Sequence, residues 1–180
     1  MALIRGNNLK NKLVGTASSD TILGLNGDDL IYGNGGHDTI RAGGGHDVVF
    51  GGAGHDKLYG NGGRDYLDGA SGNDVLEGGA GSDNLKGGLG RDIFKFFLGD
   101  NSDDLKDIVL DFQSGVDKIY LSKALGFTSA QDVLDNIASS GGDSTIRESL
   151  DMADNGIDVE IVLLGIDDAS QLTVNDIVLF

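Results

Sequence analysis

The chain of 180 residues contains no cysteine and no proline, and only 13 basic residues stand against 29 acidic ones. Without cysteine, neither a disulfide framework nor a thiolate metal site is available. Average usage would place roughly nine prolines in a chain of this length. Their absence suits a fold built on strand ladders, because proline lacks the N–H that a ladder needs. The formal net charge of −16 argues against nucleic acid or an anionic membrane surface as partner, since both repel acid. It suits a cation sink. Long hydrophobic runs are missing too: the longest, Ile161 to Leu164, is far too short for a membrane span. Residues Met1 to Asn8 lack the charged-then-apolar pattern of a signal peptide, so export would need another address. The length fits one domain or two small ones.

What the chain does have is a register. Asp20, Asp29, Asp38, Asp47, Asp56, Asp65, Asp74, Asp83 and Asp92 follow one another at an unbroken nine-residue spacing. The whole unit repeats, most cleanly as Gly51-Gly52-Ala53-Gly54-His55-Asp56-Lys57-Leu58-Tyr59. Its fourth position is Gly27, Gly36, Gly45, Gly54, Gly63, Gly72, Gly81 and Gly90, failing only at Ser18, and its first is glycine everywhere except Ala42. The eighth is always apolar, from Ile22 to Phe94. An upstream stretch, Gly6 to Val14, keeps Leu13 in the apolar place but has Asn11 where the acid belongs, which reads as a worn N-terminal cap.

These residues resemble the RTX, or hemolysin-type, nonapeptide Gly-Gly-x-Gly-x-Asp-x-apolar-x, and the resemblance covers residues 15 to 95. That nonapeptide is a known parallel β-helix repeat, so the step from pattern to Ca2+ comes from the resemblance and not from the spacing. It implies an all-β fold: a right-handed parallel β-roll with calcium-binding turns, followed by a small, mainly β C-terminal cap with one short helix. Residues 1–14 would be a lead, 15–95 the roll, and 96–180 the cap with a secretion-signal region.

Within each unit, six glycine-rich residues are expected to turn and three to form a strand, with the eighth residue inward and the seventh and ninth outward. Two units would close one coil, stacking residues 18 apart. Asp20, Asp38, Asp56, Asp74 and Asp92 then share one edge, and Asp29, Asp47, Asp65 and Asp83 the other. Carboxylates stacked about 4.8 Å apart repel by roughly 0.9 kcal/mol in water and about 3.5 kcal/mol at an effective dielectric of 20. A hard divalent cation between two of them, completed by carbonyl oxygens, meets calcium's demand for six to eight oxygens. The resemblance implies that these carbonyls come from the second and fourth positions, as at Gly52 and Gly54. Four gaps on the first edge and three on the second would hold seven ions, whose +14 takes −16 to −2.

All three histidines, His37, His46 and His55, occupy the fifth position. Stacking of His37 on His55 invites a zinc reading, but two ligands do not make a zinc site. Ser19, Asp28, Arg64 and Asn73 share the position, so it reads as a variable, solvent-facing slot. Leu30, Tyr32, Val48, Phe50 and Tyr66 would form an outward apolar and aromatic stripe. The C-terminal segment or the N-terminal lead is expected to cover it. The functional alternative is a surface for polysaccharide, cell-surface glycan or a partner protein.

After Lys95 ordinary amphipathic patterns begin. Asp107 to Phe112 and Lys118 to Ser122 read as strands, similar to the segment that follows the repeats in serralysin-like proteases and alginate epimerase modules; the plainer reading is a hairpin. That similarity places Asp107 near Asp92 as a cap on the last calcium site. A helix is expected over Ala130 to Ser139, capped by Ser129 and Asp132, then strands over Thr145 to Met152 and Ile157 to Leu164 around a turn at Asp154-Asn155-Gly156. The ending Asn175-Asp176-Ile177-Val178-Leu179-Phe180 resembles the uncleaved signal of type I secretion substrates, which implies an extracellular destination. No catalytic constellation is visible, and His-Glu-x-x-His is absent. A non-enzymatic secreted calcium binder is the first expectation. A C-terminal module of a larger secreted protease, lipase or epimerase is the second, and an adhesin-like surface protein the third.

Overall fold

The computed structural model describes residues 1–97, 105–122, 128–136, 138–139, 146–151, 158–164, 166 and 171–180. Among them the strands fall into two sheets, and the chain alternates between the sheets at every unit. One sheet runs in the order β1 (Leu3–Arg5), β3 (Thr21–Asn26), β5 (Thr39–Gly44), β7 (Lys57–Gly62), β9 (Val75–Ala80), β11 (Ile93–Phe96), β13 (Lys118–Leu121) and β17 (Ile177–Leu179). The other begins β2 (Lys12–Val14), β4 (Leu30–Gly35), β6 (Val48–Ala53), β8 (Tyr66–Ser71), β10 (Asn84–Lys86) and β12 (Leu105–Val109). It ends with β16 (Asp158–Leu163), β15 (Ile146–Asp151) and β14 (Ala138–Ser139). Pairing is parallel except where β15 meets β16 and β14. The architecture is the expected parallel β-roll.

Register follows the two-unit coil. Ile22 pairs with Ile40 and Ile40 with Leu58 in one sheet, and Ile31 with Val49 and Val49 with Leu67 in the other, each 18 residues apart. All nine eighth-position side chains are 0 % exposed and form a single internal column. Each contributes roughly 1.5–3 kcal/mol by leaving water.

The strands are longer than the expected three residues. In the central coils they run for six, from the seventh position of one unit through the third position of the next, because the parallel ladder continues through pairs such as Asn34 with Gly52. Only the fourth to sixth positions turn. The ladder passes the second position with positive φ, at Gly43, Gly52, Gly79 and Gly88, and also at the non-glycine residues Leu25 (88°), Asn34 (74°), Asn61 (74°) and Ala70 (71°).

The described C-terminal strands β12, β13, β16 and β17 prolong the coil. β13 and β17 stack Ile119 and Ile177 beneath Phe94, while β12 and β16 stack Val109 and Leu163 beneath Leu85. A hairpin of β12 with β13 is therefore wrong, since the two strands lie in different sheets. The antiparallel pair β15–β16 matches the later expected strands, and its turn at 154–156 falls outside the described residues. Helix α1 (Ala130–Asn136) is shorter than expected. Ser129 enters it through its carbonyl, which accepts the Val133 N–H, while Ile137 and the Asp132 side chain lie outside the described residues. Tyr32, Phe50 and Tyr66 do line up, with centroids 5.2 and 6.1 Å apart. Among the described residues the terminal segments join the sheets edge-on as β1, β2, β12, β13, β16 and β17. No helix among the described residues is long and apolar enough to cross a membrane.

Candidate metal centre

Strand alternation sends the sixth position into the roll together with the eighth. The nine repeat aspartates are consequently buried, from 2 % exposed at Asp20 to 0 % at Asp74 and Asp92. Their first oxygens are used in two files. On one edge the N–H of Asp20 donates to Asp38 Oδ1, Asp38 to Asp56, Asp56 to Asp74 and Asp74 to Asp92, at 2.7–2.9 Å. On the other, Asp29 donates to Asp47, Asp47 to Asp65 and Asp65 to Asp83, at 2.7–2.8 Å. Each carboxylate is thus locked by the coil before it.

Both files end on other groups. The Ala2 and Asn11 N–H groups donate to Asp20 and Asp29. At the far ends Asp83 N–H donates to Asp107 Oδ1 at 2.9 Å, and Asp92 N–H to Asp117 Oδ1 at 3.0 Å. Asp107 therefore belongs beside Asp83, not beside Asp92 as the sequence suggested. β12 joins the sheet of β10, so the acid within it inherits that edge. Asp117, which sequence reasoning missed, takes the place beside Asp92.

The second oxygens decide what the site is for. Oδ2 of Asp29, Asp38, Asp47, Asp56, Asp65, Asp74, Asp83 and Asp92 is buried with no hydrogen-bond partner. Native interiors tolerate a few such atoms, each with a reason; eight in two files have one common reason. At both ends of the first file the requirement disappears. Asp20 Oδ2 accepts from Thr16 N–H and hydroxyl at 2.8 and 2.7 Å, and Asp117 Oδ2 from Gln113 N–H at 2.9 Å. Asp29, the first acid of the other file, keeps an unpaired Oδ2 like the interior carboxylates.

Turn carbonyls supply further oxygens. The fourth-position glycines all have positive φ, between 105° and 139°, and a Cβ on Gly54, Gly63, Gly72, Gly81 or Gly90 would collide with the fourth-position carbonyl oxygen one coil earlier. Bare glycine thus lets carbonyl oxygens crowd the space between coils. Among the described residues no three His, Asp or Glu side chains converge, so any cation here would be held by paired carboxylates and carbonyls. This hard, all-oxygen donor set suits calcium and not a soft transition metal.

A family model of the RTX calcium-binding nonapeptide repeat matches residues 5–40, 32–67, 41–76 and 59–94, together half of the chain. The chain belongs to the RTX calcium-binding repeat family. Its cofactor is Ca2+, for which the orphaned Asp oxygens fit. Among solved structures, the extracellular lipase LipA from Serratia marcescens is similar at a TM-score of 0.53 and 16% identity, over 97% of this chain and 39% of the lipase. The AlgE6R3 subunit of the Azotobacter vinelandii mannuronan C5-epimerase gives a TM-score of 0.46 and 27% identity, over 96% of this chain and 80% of that one. No curated protein sequence matches the chain.

In this RTX chain the fifth position is more than a solvent-facing slot. Its side chain accepts the N–H of the fifth residue one coil on: Ser19 from His37, His37 Nδ1 from His55 at 2.7 Å, His55 Nδ1 from Asn73 at 2.7 Å, and Asn73 from Arg91. On the other edge Asp28 accepts from His46, and His46 Nδ1 from Arg64. The His37 and His55 rings stack at 4.9 Å. An imidazole whose Nδ1 accepts carries its proton on Nε2, so neither nitrogen offers a lone pair to zinc. A sequence signal existed, because almost every fifth residue followed by another coil can accept a hydrogen bond. Arg64 and Arg91 are the exceptions.

Without a cation, burial raises these carboxyl groups from 3.8 to about 6 at Asp47, Asp83 and Asp92, about 7 at Asp74, and about 8 at Asp65 and Asp107. Asp20 moves the other way because Thr16 hydrogen-bonds its charged form. An acid with a raised folded pKa stabilises the fold fully below its unfolded pKa near 3.8, and that contribution is lost as pH rises through the folded value. Metal-free protein should therefore gain β structure as pH is lowered from about 8 toward about 4, the reverse of ordinary acid unfolding. Far-UV circular dichroism of dialysed protein measures it. β content that instead rises with pH would contradict this account of the buried acids.

Proposed function

We propose that this chain is a secreted, non-enzymatic RTX protein whose coils fold as about seven calcium ions enter after type I export. The observation that carries the reading is the pair of buried carboxylate files with eight unsatisfied Oδ2 atoms. Six gaps lie between neighbouring members of those files, and Asp20–Asp38 is the seventh. Asp38, Asp56, Asp74, Asp92, Asp29, Asp47, Asp65 and Asp83 would hold these seven ions, with Asp20 at one end and carbonyls of Gly27 to Gly90 at the fourth positions; Asp107, beside Asp83, would border one further gap. Bound calcium supplies the positive charge that these carboxylates lack in the interior. The non-enzymatic reading is supported by the three histidines, each of which uses Nδ1 as a ladder acceptor and so is committed to structure.

Calorimetric titration of dialysed protein is expected to return about seven ions, and Asp65→Asn about two fewer, because Asp65 borders the gaps to both Asp47 and Asp83. Uptake of no calcium by the dialysed protein would end the proposal. Export is read from the acid and apolar tail, which here is also structural: β17 pairs with β13, and buried Asp176 accepts from Gly115 and Thr173 N–H. Deleting residues 175–180 should reduce export through a type I transporter to background. Undiminished export would show that the address lies elsewhere.

A second reading has this chain as the C-terminal module of a larger secreted enzyme, assisting its folding or holding polysaccharide. It is favoured by the chain spanning only 39% of the lipase whose fold it shares. A coding sequence continuing upstream of Met1 would support it.

A further inference from the structure

The fifth-position ladder breaks once inside the roll, and a cavity lies at the break. From His37 to Lys106 the N–H of each fifth residue donates to the fifth-position side chain one coil earlier, except at Ser82. The residue before Ser82 in that column is Arg64, whose side chain only donates. Arg91 sets Val116 the same problem, but the Val116 N–H turns to the Gln113 carbonyl at 3.1 Å. Ser82 has no such substitute. Among the described residues nothing accepts its N–H, while its hydroxyl oxygen accepts the Lys106 N–H at 3.2 Å. Ser82 is half-buried, so this backbone donor is left to solvent or to a ligand.

The cavity has a volume of about 380 Å³, within the roughly 300–1,000 Å³ range of small-molecule sites. Among the described residues it is lined by Arg64, Ser82, Asp83, Asn84, Lys106 and Ile108. Arg64 is exposed and forms no ion pair with any described residue. Lys106 has a partner of its own and adds its charge to the wall. Asn84, beside Ile108 on the neighbouring strand, brings amide donors. The one acid in this wall, Asp83, is 1 % exposed, and its Oδ1 is taken by the Asp65 N–H. In the calcium-loaded roll the ion bordering Asp83 offsets its charge.

The wall is thus rich in donors and short of acceptors, on a chain whose net charge is −16. A divalent cation would be repelled by Arg64 and Lys106, and an apolar ligand would leave the guanidinium and the Ser82 N–H unpaired. A carboxylate has two oxygens, and the guanidinium fork takes both. A phosphate keeps a third for the Ser82 N–H and so supplies the missing rung. The space beyond it, against Ile108, has room for a small organic group esterified to the phosphate.

We propose that this cavity binds a phosphate group, as the free ion or on a small phosphomonoester, with the Arg64 fork and the Ser82 N–H as its donors. The site rests on the calcium-folded roll, and circular dichroism in calcium on every sample separates loss of the fold from loss of the site. Isothermal titration calorimetry of the calcium-loaded full chain with inorganic phosphate, glycerol 3-phosphate and acetate tests it, at calcium low enough to keep phosphate dissolved. At least one of the two phosphates should bind, the tighter identifying the source, and acetate should bind about tenfold more weakly or not at all. Arg64→Asn puts an acceptor where Asn73 has one for Arg91. It should weaken phosphate binding by about tenfold or more while holding or raising the melting temperature in calcium. Arg64→Gln should do the same, and Arg91→Asn, which removes an equal charge outside the cavity, should leave binding intact. Absence of phosphate binding by folded protein, acetate binding as tight, an equal loss from Arg91→Asn, or a lowered melting temperature in both Arg64 variants would each overturn the proposal.

Discussion

Dialysed free of divalent cations at pH 7.5, the protein is expected to lose most of its β signal in circular dichroism and to regain it cooperatively as calcium is added. Eight carboxylates face an interior that contains no counter-charge for them and leaves one oxygen of each without a donor. Neighbours in each file are separated by one coil, so their repulsion adds to the cost of desolvation. A divalent ion between each pair reverses both effects. At calcium tenfold above its dissociation constant each site contributes about 1.4 kcal/mol, and seven sites about 10, comparable with the whole stability of an ordinary domain. Under the proposed function, millimolar-range affinity would suffice outside the cell, and a calcium-poor cytoplasm would leave the chain unfolded and fit for export. Identical melting curves with calcium and in chelator would refute the folding switch.

The second large effect is conformational. Gly54 has φ 135°, and an added Cβ would strike the Gly36 carbonyl, which cannot move without opening the coil. Gly54→Ala should cost about 3 kcal/mol or more in calcium, combining the left-handed penalty of about 1–2 kcal/mol with that collision. Ala70→Gly makes the opposite change. Ala70 holds φ 71° at a second position where Gly52, one coil earlier, is glycine. Relief of about 1–2 kcal/mol, less about 0.5–1 for glycine's added chain entropy, should raise stability by roughly 0.5–1 kcal/mol. Thermal melts of both variants in saturating calcium measure the pair. Equal, near-zero shifts would mean that backbone handedness does not govern the stacking.

Much of the site is legible in the order of the residues. A nine-residue period with glycine at the fourth place, acid at the sixth and an apolar residue at the eighth specifies turn, carboxylates stacked along the edges and column, and Ile22 to Phe94 all fall where that period puts them, while the burial of the carboxylates emerges only from the structure. Less legible is how far the strands extend. Glycine at the first position signals a turn by propensity, yet Gly33, Gly51 and Gly69 lie inside strands because a Cβ there would crowd the inward aspartate's Oδ2. The fifth-position ladder is readable in principle from Ser19, His37, His55 and Asn73. Their chemical variety hides one shared property, an acceptor atom within reach of the next coil.

The nine-residue beat was enough to specify the stacked coils and their files of carboxylates, since short-range periodicity and stacking are the same fact when each coil repeats the last, while calcium came from the resemblance to the RTX nonapeptide. Folding in space settled how the files terminate. Asp107 closes one and Asp117 the other across separations of 24 and 25 residues. Hydrogen bonds formed across such unequal intervals leave no periodic trace in the chain. The same end-on addition of β13 and β17 brings Lys95, Tyr120 and Phe180 together. Sheet growth obeys the ladder's need for partners, whatever length of chain lies between them.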